Sequence, residues 1–233
     1  MKRFYKNVTV AARDGGFAVE LDGRAVRTPA KTLLLLPTQA LASALAEEWD
    51  RQGETVLPAE MPMTRMANTA IDRIGRNTGP VIDEISGYAR ADHLCYWAEH
   101  PRELVERQAQ AWLPHLRWVE QRFGAKLQVV EGVMHQDQPE EVLSALHAAV
   151  AAFNAFELAA LHTLTTITGS LVLALAVADG RLSAEDAFTV SQIDETFQIE
   201  RWGVDAEAEA RRKRLAGEMA AAGRFLICLR QGG

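Results

Sequence analysis

The first sixty residues alternate. Val8 and Val10 sit between polar neighbours, and Phe17, Val19 and Leu21 alternate with Ala18 and Glu20, the period-two pattern of half-buried strands. Arg13-Asp14-Gly15-Gly16 reads as a turn. Asp22-Gly23 is a two-residue hairpin signal, because both positions tolerate positive φ. The returning strand is expected over Arg24–Thr28, ended by Pro29, with a further strand over Thr32–Leu36. A helix opens at Pro37-Thr38, carries Leu41, Leu45 and Trp49 on one stripe, and is expected to end at Gly53; Glu54–Leu57 reads as one more strand.

Beyond residue 60 the period changes to that of helices. Met63, Met66, Ala67, Ala70, Ile71 and Ile74 recur at helical spacing, with Arg65, Asn68 and Asp72 on another face. Further helices are expected from Gly79-Pro80, from Pro101 to Phe123 with a kink at Pro114, and from Pro139 to about Phe153. Asp92–Trp97 and Lys126–Glu131 read as extended. Leu158–Ala178 contains no Asp, Glu, Lys or Arg and reads as one buried central helix, with His162 as a core histidine. Threonines, Gly169 and Ser170 interrupt it, and no basic cluster flanks it, so it is not read as a membrane span. The pattern predicts an α+β protein: a small β-rich N-terminal domain with one helix (1–58), then a larger, mainly α-helical C-terminal domain (59–233).

The most polar stretch lies near the end. Ser183 and Asp186 form a capping signal for a helix whose buried stripe is Ala187, Val190, Ile193 and Phe197. Asp194, Gln198 and Arg201 fall at i, i+4 and i+7 on a neighbouring stripe. The helix should stop at Trp202-Gly203, and Asp205 then caps a final helix whose first turns carry Glu207 and Glu209. Asp194, Glu195, Gln198, Arg201, Trp202, Asp205 and Glu207 thus form a polar corner, the candidate partner-binding site. The Arg211–Arg214 run follows acidic residues by one turn, with Glu207–Arg211 and Glu209–Lys213 in the favourable i,i+4 order. Phe225–Leu229 reads as a terminal strand or packed tail.

Charge and composition narrow the function. A net charge of -6 argues against non-specific nucleic-acid binding. Cys95 and Cys228, the two cysteines, form neither a disulfide framework nor a zinc ribbon and fit a reducing compartment. His93 and Cys95 find no second pair with metal-ligand spacing, so no metal is expected. Neither a P-loop, a dinucleotide fingerprint, a nucleophile elbow nor a His-Glu-x-x-His motif occurs. These absences favour binding over catalysis, with an enzyme acting through the acidic corner as the alternative.

The chain resembles the Atp12 family, assembly chaperones of the F1 part of ATP synthase. The resemblance rests on Phe4-Tyr5-Lys6-Asn7-Val8, Leu21-Asp22-Gly23-Arg24, Thr28-Pro29, Leu36-Pro37-Thr38 and Glu48-Trp49-Asp50-Arg51-Gln52. It continues through Met61-Pro62-Met63-Thr64-Arg65, Ala67-Asn68-Thr69-Ala70-Ile71-Asp72, Leu94-Cys95-Tyr96, and Trp112 with Pro114. It ends in Ser170-Leu171-Val172-Leu173-Ala174, Asp194-Glu195 with Gln198, and Trp202-Gly203-Val204-Asp205. It implies a β-rich domain followed by a helical one. It implies transient binding of the free F1-ATPase α subunit until β replaces the chaperone, with no cofactor, no ATP, no nucleic acid and no membrane insertion. It also implies emphasis on acidic C-terminal residues, here Asp194, Glu195, Asp205 and Glu207. The mitochondrial members act in the matrix and carry a leader not seen here, so a bacterial cytoplasmic member is expected.

Overall fold

The computed structural model describes residues 1–132, 134 and 136–231. Strands lie in the first part and helices dominate the rest, the α+β architecture expected. The chain forms two compact units. The first holds Met1–Thr78 with Ala155–Ala160 and the end of the chain from Ala221; the second holds Gly79–Asn154 and Leu161–Ala220.

In the first unit, β1 (Val8–Arg13) and β2 (Gly16–Leu21) pair antiparallel in continuous register from Val8↔Leu21 to Arg13↔Gly16. The other edge of β2 takes β3 (Arg24–Ala25) and β4 (Leu35–Leu36), so β1 is an edge strand. The hairpin between β2 and β3 turns at Asp22 (φ 49°) and Gly23 (φ 77°), both left-handed as the Asp-Gly signal requires. The returning strand is shorter than expected. After Ala25 the backbone continues through single bonds, Val26 N–H to Val19 O (2.9 Å) and Leu34 N–H to Val26 O (3.0 Å), because Pro29 cannot donate and Lys31 turns the chain at φ 66°. The expected strand at Glu54–Leu57 is one bridge, Thr55 to Lys2.

Helix α1 (Gln39–Asp50) packs on β1 and β2 and buries Leu41, Ala42, Ala44 and Leu45 against Ala18, Val19, Leu34 and Leu36. It ends at Asp50, before Gly53. Thr38 is its N-cap, accepting from Leu41 N–H (3.1 Å) while its hydroxyl donates to Cys228 O (2.8 Å). Helix α2 (Pro62–Asp72) starts with proline at its first position, where a missing N–H costs nothing.

The second unit contains α3 (Gly79–Gly87), α4 (Arg102–Phe123), α5 (Glu140–Ala151) and α7 (Leu171–Ala178). It also contains α8 (Ala184–Ser191), α9 (Ile193–Trp202), most of α6 (Ala155–Thr168) and the first part of α10 (Ala206–Arg230). Every residue of α7 is buried, and it packs on α4 and α8. The apolar run is therefore two helices, not one. Gly169 takes φ 66° and Ser170 caps α7 by accepting from Leu173 N–H (3.1 Å), so these two small residues are a break and a cap. Among the described residues, no helix is long and apolar enough to cross a membrane.

Four other expectations are corrected. His93–Cys95 is a 3-10 turn, capped by Asp92, and only Tyr96–Trp97 (β5) is extended, pairing parallel with Val130–Glu131 (β6). His162 is not a core histidine: it is half-buried, with Nε2 3.0 Å from a Glu84 carboxylate oxygen on α3. Phe225–Leu229 is helical, the last turns of α10, because Phe225, Leu226 and Cys228 are buried at helical spacing. The expected single helix from Ser183 to Trp202 is α8 and α9, separated at Gln192.

Candidate functional site: the corner of α9 and α10

The corner is assembled on α4. Trp112, fully buried, donates from its indole Nε1 to Val190 O (3.0 Å), holding the end of α8 beside α4. One turn earlier, buried Gln108 accepts from Ala98 N–H through its Oε1 (2.8 Å) and donates from its Nε2 to Asp194 Oδ1 (2.6 Å). Asp194 therefore faces α4 and fixes the first turn of α9, where a carboxylate also suits the helix dipole.

The other side of α9 is tied by charge. Arg107 bonds Glu200 (2.6 Å) and Glu103 (2.8 Å), and Arg201 bonds the second oxygen of Glu103 (3.0 Å). Both guanidinium groups lie over the buried Phe197 ring, at 5.3 Å and 4.3 Å from its centroid. The hydrogen bond and charge of Glu200 raise the Arg107 pKa. Thr196 accepts from Arg212 of α10 (2.8 Å).

The chain then leaves the helix. Gly203, at φ 85°, ends α9, and a Cβ there would meet nothing within 4 Å, so the dihedral and not crowding selects glycine. Asp205 caps α10, its Oδ2 accepting from Ala208 N–H (3.0 Å). On either side of Gly203, Trp202 is 78% exposed and Val204 is 53% exposed.

The seven expected site residues thus divide. Asp194, Arg201 and Asp205 carry structural bonds. Glu195, Gln198, Trp202 and Glu207 make no side-chain hydrogen bond or ion pair among the described residues. Glu195 is half-buried and the other three are exposed. Glu209 pairs with Lys213 (2.7 Å) as the spacing predicts, and this bond lowers the Glu209 pKa; Glu207 and Arg211 form no such pair among the described residues. The Arg-Arg-Lys-Arg run is partly spent on Thr196, Glu209 and Glu218.

Sequence reasoning missed two buried carboxylates. Asp92, fully buried, accepts from Leu94 N–H and Val172 N–H (both 3.1 Å) and so holds the 3-10 turn to the start of α7. Burial raises its pKa against these bonds. Glu48, in the first unit, accepts from Met63 N–H, Thr64 N–H and Thr64 Oγ1 (each 2.8 Å), capping α2 from α1. Burial raises its pKa too. An acidic residue on an otherwise buried stripe, as Glu48 is on the Leu41–Leu45 face, was the available signal. Among the described residues, no three His, Cys, Asp or Glu side chains gather into a set that could hold a metal ion.

Known proteins resemble this chain in sequence and in fold. The family model described as ATP12 chaperone protein matches residues 2–120. A solved structure of Atp12 from Paracoccus denitrificans is similar with a TM-score of 0.92 and 43% identity, over 98% of each chain. A putative chaperone from Agrobacterium tumefaciens is similar with a TM-score of 0.93 and 46% identity, over 98% of this chain and 86% of that one. The mitochondrial protein atp12 of Schizosaccharomyces pombe is 24% identical over 214 residues, 87% of this chain and 74% of its own length. The class so defined is a chaperone. The chain belongs to the ATP12 chaperone family, and its role is that of a chaperone in F1 assembly.

Proposed function

We propose that the chain binds the free F1 α subunit, covers the surface that β later occupies, and is displaced without ATP as the larger α–β interface forms. Family membership supports the assembly role. The observation that carries the choice of surface is the corner itself: an exposed indole and an exposed valine, with the carboxylates of Glu195 and Glu207 left unpaired among the described residues. Single exposed apolar side chains are common on protein surfaces, but tryptophan is among the residues most enriched at the anchors of protein interfaces. An unassembled subunit exposes the complementary problem, an apolar surface whose partner has not arrived, and reversible cover keeps it from aggregating.

The test is titration of purified α with wild-type protein, Glu195→Lys and Trp202→Ala. Neither side chain bonds to the scaffold, so both variants should keep the wild-type far-UV circular dichroism; Trp202→Ala should keep the melting temperature, and Glu195→Lys should cost only a favourable charge in the first turn of α9, about 0.3–1 kcal/mol. Trp202→Ala should cost about 2 kcal/mol of binding, roughly thirtyfold in Kd. Unchanged affinity in both would move the contact away from this corner.

A further inference from the structure

Helix α9 is held to the second unit by little apolar burial. Phe197 is its one buried side chain in ten residues. The Gln108–Asp194 bond fixes its first turn, and Phe197 its middle. Its last turn, residues 199–202, is held by charge. Among the described residues, the side-chain bonds that leave this turn are Arg107 to Glu200 (2.6 Å) and Arg201 to Glu103 (3.0 Å). Glu103 joins the two pairs: one of its oxygens accepts from Arg107 (2.8 Å) and the other from Arg201. It sets one negative charge against two guanidinium groups that both lie over the Phe197 ring. An amide in its place has one acceptor oxygen and must turn its NH2 group towards one of the guanidiniums, donor against donor. The turn held in this way carries the exposed Trp202 and ends at Gly203, whose N–H closes on Ile199 O (2.9 Å). Helix ends open at little cost in free energy, so a clamp there changes a population and not the fold.

We infer that Glu103, on α4, is a positioning residue for Trp202: by clamping the last turn of α9 it presents the indole to the client already ordered. This role presupposes the proposed function, in which Trp202 anchors the α subunit. An anchor ordered in advance loses less conformational freedom on binding. An anchor on a frayed turn binds with its affinity reduced by the fraction of time the turn is formed. The four side chains of the network are each between 40% and 54% exposed, so salt screens the clamp.

Two measurements on the full chain test it. In the free protein, amide exchange of Gly203 should speed up in Glu103→Gln and more in Glu103→Lys, with the melting temperature near that of wild type. Added salt should speed it in wild type and change it little in Glu103→Gln. With purified α subunit, binding should weaken about threefold in Glu103→Gln and about tenfold in Glu103→Lys. In a Trp202→Ala background the same two substitutions should cost less than about 1.5-fold, because a residue that acts through Trp202 then has nothing to position. Costs that persist at full size in that background give Glu103 a direct contact or a general structural role and overturn the inference. Gly203 exchange that is equal in all three proteins overturns it too. If Trp202→Ala binds α like wild type, the surface chosen in the proposed function fails and the positioning role fails with it. A loss in Trp202→Ala with none in either Glu103 variant removes only the positioning role.

Discussion

At the scale of the residue, the carboxylates decide most. Several acidic side chains within the family-like motifs act as caps and staples and not as free charge. Glu48 satisfies three donors at the start of α2, and with 5% exposure it has no water to replace them. Glu48→Ala should destabilise the chain by about 2–4 kcal/mol in urea unfolding, the cost of orphaning buried donors. Asp22 offers a pH test. Its carboxylate accepts from Asn7 N–H (2.9 Å) and Lys6 N–H, which lowers its pKa below the ordinary aspartate value. A depressed folded pKa means the contribution is complete above the unfolded value and is lost as pH falls through the folded one. Asp22→Asn keeps a residue that tolerates φ 49° and should flatten the acid side of the stability curve below pH ~4, with little change in shape at neutral pH. None of this was legible from spacing. Asp92 looks like any acidic residue in sequence and Glu48 stands out only as an acid on a buried stripe; the backbone donors brought to them by other segments give them their roles.

At the scale of the element, periodicity located most helices and missed their interruptions. The apolar run from Leu158 to Ala178 carries one uninterrupted hydrophobic signal, yet Gly169 and Ser170 end one helix and start another. Hydrophobicity does not report φ, so a run buried on all sides hides its own break. The same holds at Gln192, where no glycine or proline marks the separation of α8 from α9. The caps were more readable, because Ser183, Thr38 and Asp205 each act where a short polar side chain precedes an apolar stripe. Gly169→Ala should destabilise by about 1–2 kcal/mol through the left-handed dihedral; crowding adds little, since a Cβ there would sit 3.5 Å from the His93 Cβ. Asp205→Ala should cost about 1 kcal/mol at the start of α10, read as a lower melting temperature.

At the scale of the molecule, the sheet and the polar corner belong to different units of the chain, and the corner carries an exposed tryptophan. The α+β class and the ATP12 resemblance were legible because strand-period and helix-period regions are separated in sequence and the motifs run in order along nearly all of it. The division of labour within the corner was not. Asp194 carries the same charge as Glu195 and Glu207, and only the contacts of Asp194 and Arg201 with α4 show that these two brace the scaffold. Under the proposed function, this chain keeps an unassembled α subunit usable. Co-expression of α from the same organism with this protein, with and without β, measures it directly as soluble α and its co-elution. The account predicts that soluble α rises, that α and the chaperone elute together, and that β releases the chaperone. Soluble α that is indifferent to this protein, or a complex that survives the arrival of β, would contradict it.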